Sequence, residues 1–207
     1  NKNPRLALKR AAATTLAALV LSGAGAIATK IYRDVKIPIG FDYSGTSISS
    51  TRSLPDEIND DFVLIEVNSW KKGISEKSIE NIKKCNEKGV PCGILLNSDA
   101  TTEKEATADA ACILALTEGD KIECPIYYNI DGIVGKVSDE KLIEICTAFY
   151  EMCRGASVGI GAKEDTLDKI KEDLPNELKL MAISDGKEIN NSEDYSICYF
   201  ERVGKYF

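Results

Sequence analysis

The feature that most constrains the fold is a regular alternation of short apolar runs with segments of helical periodicity. The apolar runs are 36–41, 62–67, 90–96, 125–130, 156–161, 179–183 and 195–200. Runs that are apolar nearly throughout are typical of strands buried on both faces of a parallel sheet. The pattern therefore predicts a sheet built from these seven strands.

Helical segments with recognisable ends separate most of the strands. Ser75, Thr102 and Ser138 are candidate N-caps, and Glu105 follows Thr102 at the spacing of a capping box. Gly89 is a typical C-terminal stop. The predicted helices are 75–89, 102–119, 138–155 and 164–174. Successive strand–helix–strand units imply parallel strands with right-handed crossovers.

This order fits either a closed β/α barrel or an open doubly wound sheet. In both, the site lies at the carboxyl ends of the strands. Residues 40–45, Gly-Phe-Asp-Tyr-Ser-Gly, match neither a dinucleotide-binding loop nor a P-loop. We therefore expect no nucleotide or other cofactor. No repeat or linker interrupts residues 31–207, which are predicted to form one domain.

Residues 1–30 have the pattern of a secretory signal. A basic stretch, 1–10, precedes an uncharged run of 18 residues, 11–28, which ends in Ala26-Ile27-Ala28. A basic region, an apolar region and a small-x-small motif are the parts of a signal peptide. The run is also near the minimum length for a membrane anchor, and an Ala-rich helix packed on the domain is a third interpretation. The prediction is a secreted or cell-surface protein that contacts a membrane only through 11–28 if this segment is uncleaved.

Charge and composition exclude several functions. The first 30 residues hold five basic and no acidic residues, which leaves 21 basic against 33 acidic residues and a net charge of −12. Such a surface repels phosphate backbones, so we expect no nucleic-acid partner. The chain has no histidine. A Ser-His-Asp or Cys-His mechanism is therefore excluded.

The seven cysteines predict neither a metal site nor a full disulfide framework. They form no CxxC pair, and most fall on apolar faces of predicted elements, where Cys behaves as a small hydrophobe. An odd count without short-range pairing argues against a framework, although one or two disulfides in an oxidising compartment fit the sequence. No metal is predicted.

Polar residues follow the predicted strands where a site would lie. They are Asp42 and Tyr43 after the first strand, Glu66 in the second, Asn97 after the third, and Tyr128, Asn129 and Asp131 at the fourth. Alternation puts Asn129 and Asp131 on one face, where they would converge with Asp42. Acids, amides and aromatics without a cation suit a neutral sugar and carboxylate acid–base chemistry.

Each of these residues also has an ordinary structural interpretation. Asp42 also fits a turn or cap residue after the strand. Asn129 and Asp131 precede a glycine and fit an Asx turn. Glu66 fits a solvent-facing side chain or a partner for a lysine.

The succession of motifs resembles glycoside hydrolase family 25, the lysozyme (N-acetylmuramidase) family with an irregular TIM-like β/α barrel. The similar stretches are 40–44 (Gly-Phe-Asp-Tyr-Ser), 62–65, 88–93, the Ala-rich 103–111, and 125–131. The resemblance runs in order over roughly residues 37–200. It implies an α/β fold of this barrel type in one domain after the N-terminal segment.

The resemblance also implies roles for individual residues. Asp131 would be the proton donor and Asp42 the second catalytic carboxylate, with Asn129, Tyr43, Glu66, Asn97 and Tyr128 binding substrate. The family's Asp-x-Glu reads Asn129-x-Asp131 here. An aspartate is one methylene shorter than glutamate, and a misplacement of about 1 Å can cost about a hundredfold in rate. An amide at 129 supplies no counter-charge where the family has a carboxylate.

Three functions follow from these observations. The first is a degenerate lysozyme-like barrel that binds a peptidoglycan-type glycan with weak or no hydrolysis, a pseudoenzyme. The second is an active glycoside hydrolase that cleaves a wall glycan with Asp131 as the acid. The third is a structural or assembly protein anchored by residues 11–28.

Overall fold

The computed structural model describes residues 45–184, 195, 197–200 and 205–206. Its elements in chain order are β1 (Gly45–Ile48), β2 (Phe62–Asn68), α1 (Glu76–Lys88), β3 (Cys92–Asn97), α2 (Glu103–Thr117), β4 (Ile126–Asn129), α3 (Asp139–Met152), β5 (Val158–Lys163), α4 (Glu164–Ile170), a 3₁₀ turn (Lys171–Asp173), β6 (Lys179–Ser184), β7 (Ile197–Phe200) and β8 (Lys205–Tyr206). The predicted strands and helices from residue 62 onward are thus confirmed.

Several predictions fall on residues outside this description. They concern the signal or anchor segment 1–30, the strand 36–41, and the site residues Asp42 and Tyr43. The structure adds two strands that the sequence pattern did not predict, β1 and β8. No helix in the described ranges is long and apolar enough to cross a bilayer.

The strands close into an irregular barrel. β1 to β7 pair in sequence order and all in parallel, and β8 lies between β7 and β1, antiparallel to both. The expectation of an α/β barrel is confirmed, and the open-sheet alternative is wrong. Parallel strands place all their carboxyl ends at one end of the barrel, which we call the mouth.

The helices begin where the capping residues predict. The side chains of Ser75 and Ser138 accept hydrogen bonds from Lys77 and Lys141 N–H, and Thr102 accepts from Glu105 N–H at 3.3 Å. These bonds satisfy N–H groups that the first helical turn leaves without a partner. The left-handed backbone at Gly89, with φ of 67°, ends α1 as predicted.

Two apolar clusters lie on opposite faces of the strands. The larger cluster packs the outer face against the helices, and the smaller one fills the barrel interior with Phe62, Leu64, Leu95, Cys124, Tyr127, Met181 and Ile183. Gly159 makes room for the largest of these side chains, because a Cβ there would come within 2.5 Å of the Tyr127 ring. The interior between the strands is therefore a packed core, and binding sites of such barrels lie at the mouth.

Candidate functional site at the mouth of the barrel

The inner face of the barrel becomes polar at the carboxyl ends of β2, β3 and β4. Leu64, Leu95 and Tyr127 belong to the interior cluster. Because strand side chains alternate, the residues two and four positions further on share that inner face. On β2 and β4 these are Glu66, Asn68, Asn129 and Asp131, and on β3 the first of them is Asn97; all five are half-buried. Sequence reasoning had singled out four of these five, and Asn68 is the addition.

Three of these residues form a row of amides across adjacent strands. Asn68 pairs with Asn97 in the β2–β3 register, and Asn97 pairs with Asn129 in the β3–β4 register. Asn129 Nδ2 donates to Asn97 Oδ1 at 2.9 Å, and Asn68 Nδ2 lies 3.4 Å from Ser50 Oγ. We call Asn68, Asn97, Asn129 and Asp131 the polar row. Its amides are oriented by neighbours before any ligand arrives.

Asp131 extends the row towards β5. Its backbone N–H donates to Asn129 Oδ1 at 3.1 Å, and its carboxylate Oδ1 accepts the Lys163 N–H at 2.9 Å. Burial raises the pKa of Asp131, while the Lys163 N–H and the Lys163 charge oppose that rise. Asn129 and Asp131 thus make the Asx-type contact that sequence reasoning left open beside a functional role. The exposed side chain of Lys163 lies at this point. The sequence analysis expected a mouth without a cationic group, and that expectation is wrong.

Glu66 lies on the same inner face, two residues before Asn68, and its side chain is half-buried. Its backbone carbonyl accepts a hydrogen bond from the Ser78 hydroxyl at 2.8 Å, which ties β2 to α1. The position is compatible with contact to a ligand in the mouth. Asp42 and Tyr43 lie outside the described residues, so their convergence with Asp131 stays a prediction.

Tyr128 does not line the mouth, which corrects the expectation that it binds substrate. Its side chain is 0% exposed and lies on the outer face of β4. The ring stacks on Phe149 of α3 with centroids 4.0 Å apart. The reason is the alternation that turns Asn129 inwards, since consecutive strand residues point to opposite faces.

A buried carboxyl that sequence reasoning missed lies behind the polar row. Asp109 of α2 is 1% exposed, and its Oδ1 accepts the Trp70 N–H at 2.9 Å. Its Oδ2 accepts from the Tyr128 hydroxyl at 3.2 Å, and that hydroxyl accepts from Ser98 Oγ at 2.7 Å. The Asp109 carboxyl thus links three segments, namely the residues just after β2, the residues just after β3, and β4 itself. We call Asp109, Ser98 and Tyr128 the outer network.

Burial raises the pKa of Asp109 to about 7, although its three hydrogen bonds oppose the rise. A carboxyl in this environment holds a proton well above the pH at which an exposed aspartate loses it. The signal in the sequence was that Asp109 is the one acid beyond the first turn of an Ala-rich helix, at a position that the helical period turns towards the sheet.

Two ion pairs join the loops that border the mouth. Lys72 Nζ lies 2.8 Å from Asp99 Oδ2, and Lys71 Nζ lies 2.6 Å from Glu105 Oε1. Both pairs connect the loop after β2 to the segment between β3 and the first turn of α2. They hold together the side of the mouth that carries the amides.

No three His, Cys, Asp or Glu side chains within the described ranges are arranged to hold a metal ion. The described part of the mouth offers amides and carboxyls. Three amides donate and accept hydrogen bonds, and Asp131 supplies a half-buried carboxyl whose pKa is raised.

Comparison with solved structures identifies the fold. A family 25 glycosyl hydrolase from Bacillus anthracis has a TM-score of 0.63 at 13% identity, covering 85% of each chain. The modular autolysin LytC from Streptococcus pneumoniae, solved with a synthetic peptidoglycan ligand, has a TM-score of 0.62 at 20% identity over 74% of this chain. A muramidase from Acremonium alcalophilum has a TM-score of 0.57 at 14% identity, over 80% of this chain and 92% of that one.

These likenesses confirm the family 25 lysozyme-like barrel as the fold. The matched region spans only 40% of the LytC chain. No protein-family profile and no curated protein sequence matches this chain. At identities of 13–20%, the shared property is the fold.

Proposed function

We propose that the barrel binds a wall glycan of the peptidoglycan type at its mouth, with weak hydrolysis or none, on the outside of the cell. The observation that carries the proposal is the polar row, a half-exposed line of three amides and one carboxyl at the carboxyl end of a closed barrel. Binding sites of β/α barrels lie at this end.

The chemistry of the row suits a neutral polyhydroxylated ligand. Amide side chains both donate and accept hydrogen bonds, as do sugar hydroxyl and N-acetyl groups. The row brings three amides together with a single carboxyl, so its charge is small beside that of the acidic surface. Groups already oriented by neighbours lose less conformational entropy when a ligand binds.

The same geometry argues for weak turnover. Hydrolysis of a glycosidic bond uses a pair of carboxyl groups on either side of the bond. Position 129 carries an amide instead, held by Asn97 on one side and by the Asp131 N–H on the other. An amide held in this way orients a ligand without supplying charge.

One observation favours hydrolysis as a second candidate. Burial raises the pKa of Asp131, as a general acid requires. One of its oxygens is bonded to the Lys163 N–H, which leaves the other to face a leaving-group oxygen. Asp42 would have to supply the second carboxyl.

The structural neighbours support the ligand class. LytC is an autolysin that was crystallised with a synthetic peptidoglycan ligand, and the Acremonium protein is a muramidase. A wall polymer would be met outside the cell, in agreement with the signal-like or anchor-like segment 1–30.

Binding is tested by sedimentation of the full chain with purified peptidoglycan, with chitin and cellulose as contrasting glycans. We expect saturable binding to peptidoglycan and at least a tenfold loss of affinity in Asn129→Ala. Asn176→Ala, an exposed asparagine on the loop before β6, is the matched control and should bind as wild type does. Absence of saturable binding to all three polymers would contradict the proposal.

Turnover is tested by release of reducing ends from the same polymers. We expect little or no release from wild type and a detectable increase in Asn129→Asp, which restores a carboxylate to this position. Substantial wild-type release that Asp131→Asn abolishes would overturn the weak-turnover proposal in favour of the hydrolase.

A further inference from the structure

Lys163 brings a positive charge to the mouth, and the binding of a neutral sugar by the polar row makes no use of it. It is the last residue of β5, and its side chain is exposed. A Cβ on Gly159 would lie 2.5 Å from the Tyr127 ring, and one on Gly161 would lie 2.5 Å from Met181 Cε, so both glycines face the interior cluster. The backbone at Lys163 is extended, with φ of −62° and ψ of 147°. The alternation therefore continues, and Lys163 shares this inner face.

The strand register places Lys163 beside Asp131, one step further out than the amides. Asn129 pairs with Gly161, so β5 has no side chain at the level of the amides. Two residues further along the chain from these come Asp131 and Lys163, whose N–H donates to Asp131 Oδ1 at 2.9 Å. On its other side Lys163 pairs with Ile183, which is apolar and 3% exposed. Lys163 is thus the polar side chain at which the row ends on the side of β5.

The ammonium group of Lys163 is not committed to a carboxylate of the described residues. Both lysines of the loop after β2 are paired with acids at the rim of the mouth. Within the part of the chain that the structure describes, none of the ion pairs includes Lys163, and its bond to Asp131 is made by the backbone N–H. A charge on a flexible four-carbon stem beside a binding site can move to meet an anionic group of a ligand.

The charges around Lys163 suit a ligand group with a single negative charge. A carboxylate balances one ammonium group and accepts charge-assisted hydrogen bonds from it. A polyanion would instead be repelled by the Asp131 carboxyl and by the surface of a chain with a net charge of −7. The position of Lys163 therefore favours a carboxylate on an otherwise neutral ligand.

We propose that Lys163 makes the mouth selective for glycans that carry a carboxylate on or next to the sugar bound by the polar row. This inference rests on the proposed glycan site and adds the chemical class of its ligand. The ammonium group binds the carboxylate, while the amides bind the neutral hydroxyl and N-acetyl groups. Peptidoglycan offers such a carboxylate from two sources, the peptide stem and the lactyl group of the sugar where no peptide is attached.

The test compares three preparations of one peptidoglycan by sedimentation with the full chain at low salt. The first is intact and carries its peptide stems. The second has lost them to an amidase, which frees the lactyl carboxylates, and the third is the second after carbodiimide coupling to methylamine, which turns those carboxylates into neutral amides. We expect at least one of the first two to bind about tenfold more tightly than the third, as one hydrogen-bonded charge pair provides. High salt should reduce the difference.

Two variants assign this difference to Lys163. Lys163→Gln removes the charge and keeps the backbone N–H that bonds Asp131, so it should lose about tenfold in affinity for the carboxylate-bearing glycan and bind the third preparation as wild type does. Lys163→Arg keeps the charge and should retain most of the affinity. Lys169→Gln, at an exposed position of α4, makes the same change in net charge and should alter neither affinity. A loss on intact peptidoglycan alone assigns the carboxylate to the stem, and a loss on the amidase-treated glycan assigns it to the lactyl group.

The outcomes separate this inference from the proposed function. Wild-type affinities that are equal for all three preparations would overturn the role of Lys163 and leave the glycan site in place. An equal loss on all three in Lys163→Gln would also overturn it, because the lysine would then support the site without distinguishing charge. Asn129→Ala should weaken binding to all three preparations. Absence of wild-type binding to any of them would overturn the glycan site itself, and the selectivity with it.

Discussion

Consecutive residues at the ends of β3 and β4 have opposite environments. Asn97 and Asn129 point inwards and are half-buried in the polar row, whereas Ser98 and Tyr128 point outwards and are almost fully buried in the outer network. Both sets are polar and hydrogen-bonded. Burial, more than residue type, therefore separates the groups that can contact a ligand from the groups that stabilise the barrel.

The contrast leads to separable expectations. A substitution in the outer network leaves buried polar atoms without a hydrogen-bond partner, and this lowers the free energy of unfolding. A change in the polar row alters groups that water already reaches, so it should affect binding more than folding. Measuring stability and binding on the same variants tests this separation.

The largest effect should come from the pH dependence of Asp109. Its pKa of about 7, against an ordinary value of 3.8, means that the folded chain retains a proton which the unfolded chain has lost. The free energy of unfolding should therefore fall as pH rises from about 4 to about 7 and then level off, by up to about 4 kcal/mol. Asp109→Asn should remove this fall, measured by urea unfolding at several pH values.

Asp56→Asn, at an exposed position, is the control for this experiment and should keep the wild-type slope. A wild-type slope that Asp109→Asn leaves unchanged would contradict the assignment of Asp109 as the titrating buried carboxyl.

The next effect concerns the hydroxyl of Tyr128. Tyr128→Phe retains the ring stacked on Phe149 but removes the group that bonds Asp109 and Ser98. The loss should lower the free energy of unfolding by about 1–2 kcal/mol, with glycan affinity unchanged. Tyr150→Phe, near the surface of α3, should change it by less than about 0.5 kcal/mol. Weaker binding at unchanged stability would place Tyr128 in the ligand site after all.

The opposite pattern is expected in the polar row. Asn97→Ala removes the acceptor of the Asn129 amide. We expect peptidoglycan affinity to fall about tenfold, or about 1.4 kcal/mol, while the free energy of unfolding changes by less than about 1 kcal/mol. Sedimentation with peptidoglycan measures the affinity, and urea unfolding of the same preparation measures the stability. A loss of stability as large as that of Tyr128→Phe would contradict the expectation that the polar row affects binding more than folding.

The smallest effect should come from the rim of the mouth. The Lys72 side chain is 61% exposed, and exposed ion pairs contribute little. Lys72→Ala should lower the free energy of unfolding by about 0.5 kcal/mol or less, and 1 M salt should remove the difference. A larger, salt-resistant effect in thermal unfolding would show that the rim contributes to the barrel's stability as the outer network does.

Much of the fold was predictable because its signals are local. Apolar runs gave the strands from β2 to β7, and the caps at Ser75, Thr102 and Ser138 gave the helix starts. The short strands β1 and β8 were missed. Gly45–Ile48 has little apolar pattern, and a strand of two residues has no period to detect.

The site was predictable in part for the same reason. Alternation along β4 correctly put Asn129 and Asp131 on one face, and the same rule already placed Tyr128 on the other. Asp109 could not be assigned from the sequence because its three partners lie 11 to 39 positions away along the chain. Patterns of neighbouring residues do not predict contacts between residues so far apart in the sequence.

The order of strands and helices, the helix caps and the side of β4 on which each polar residue lies all follow from local sequence, because they depend on neighbours within a few positions. Long-range packing was needed to close the strands into a ring, to bring three asparagines from separate strands into one row, and to bury Asp109 behind them. These features depend on strand register and on the burial that results when distant segments pack together. Burial also shifts the pKa of a carboxyl, and composition alone does not predict that shift.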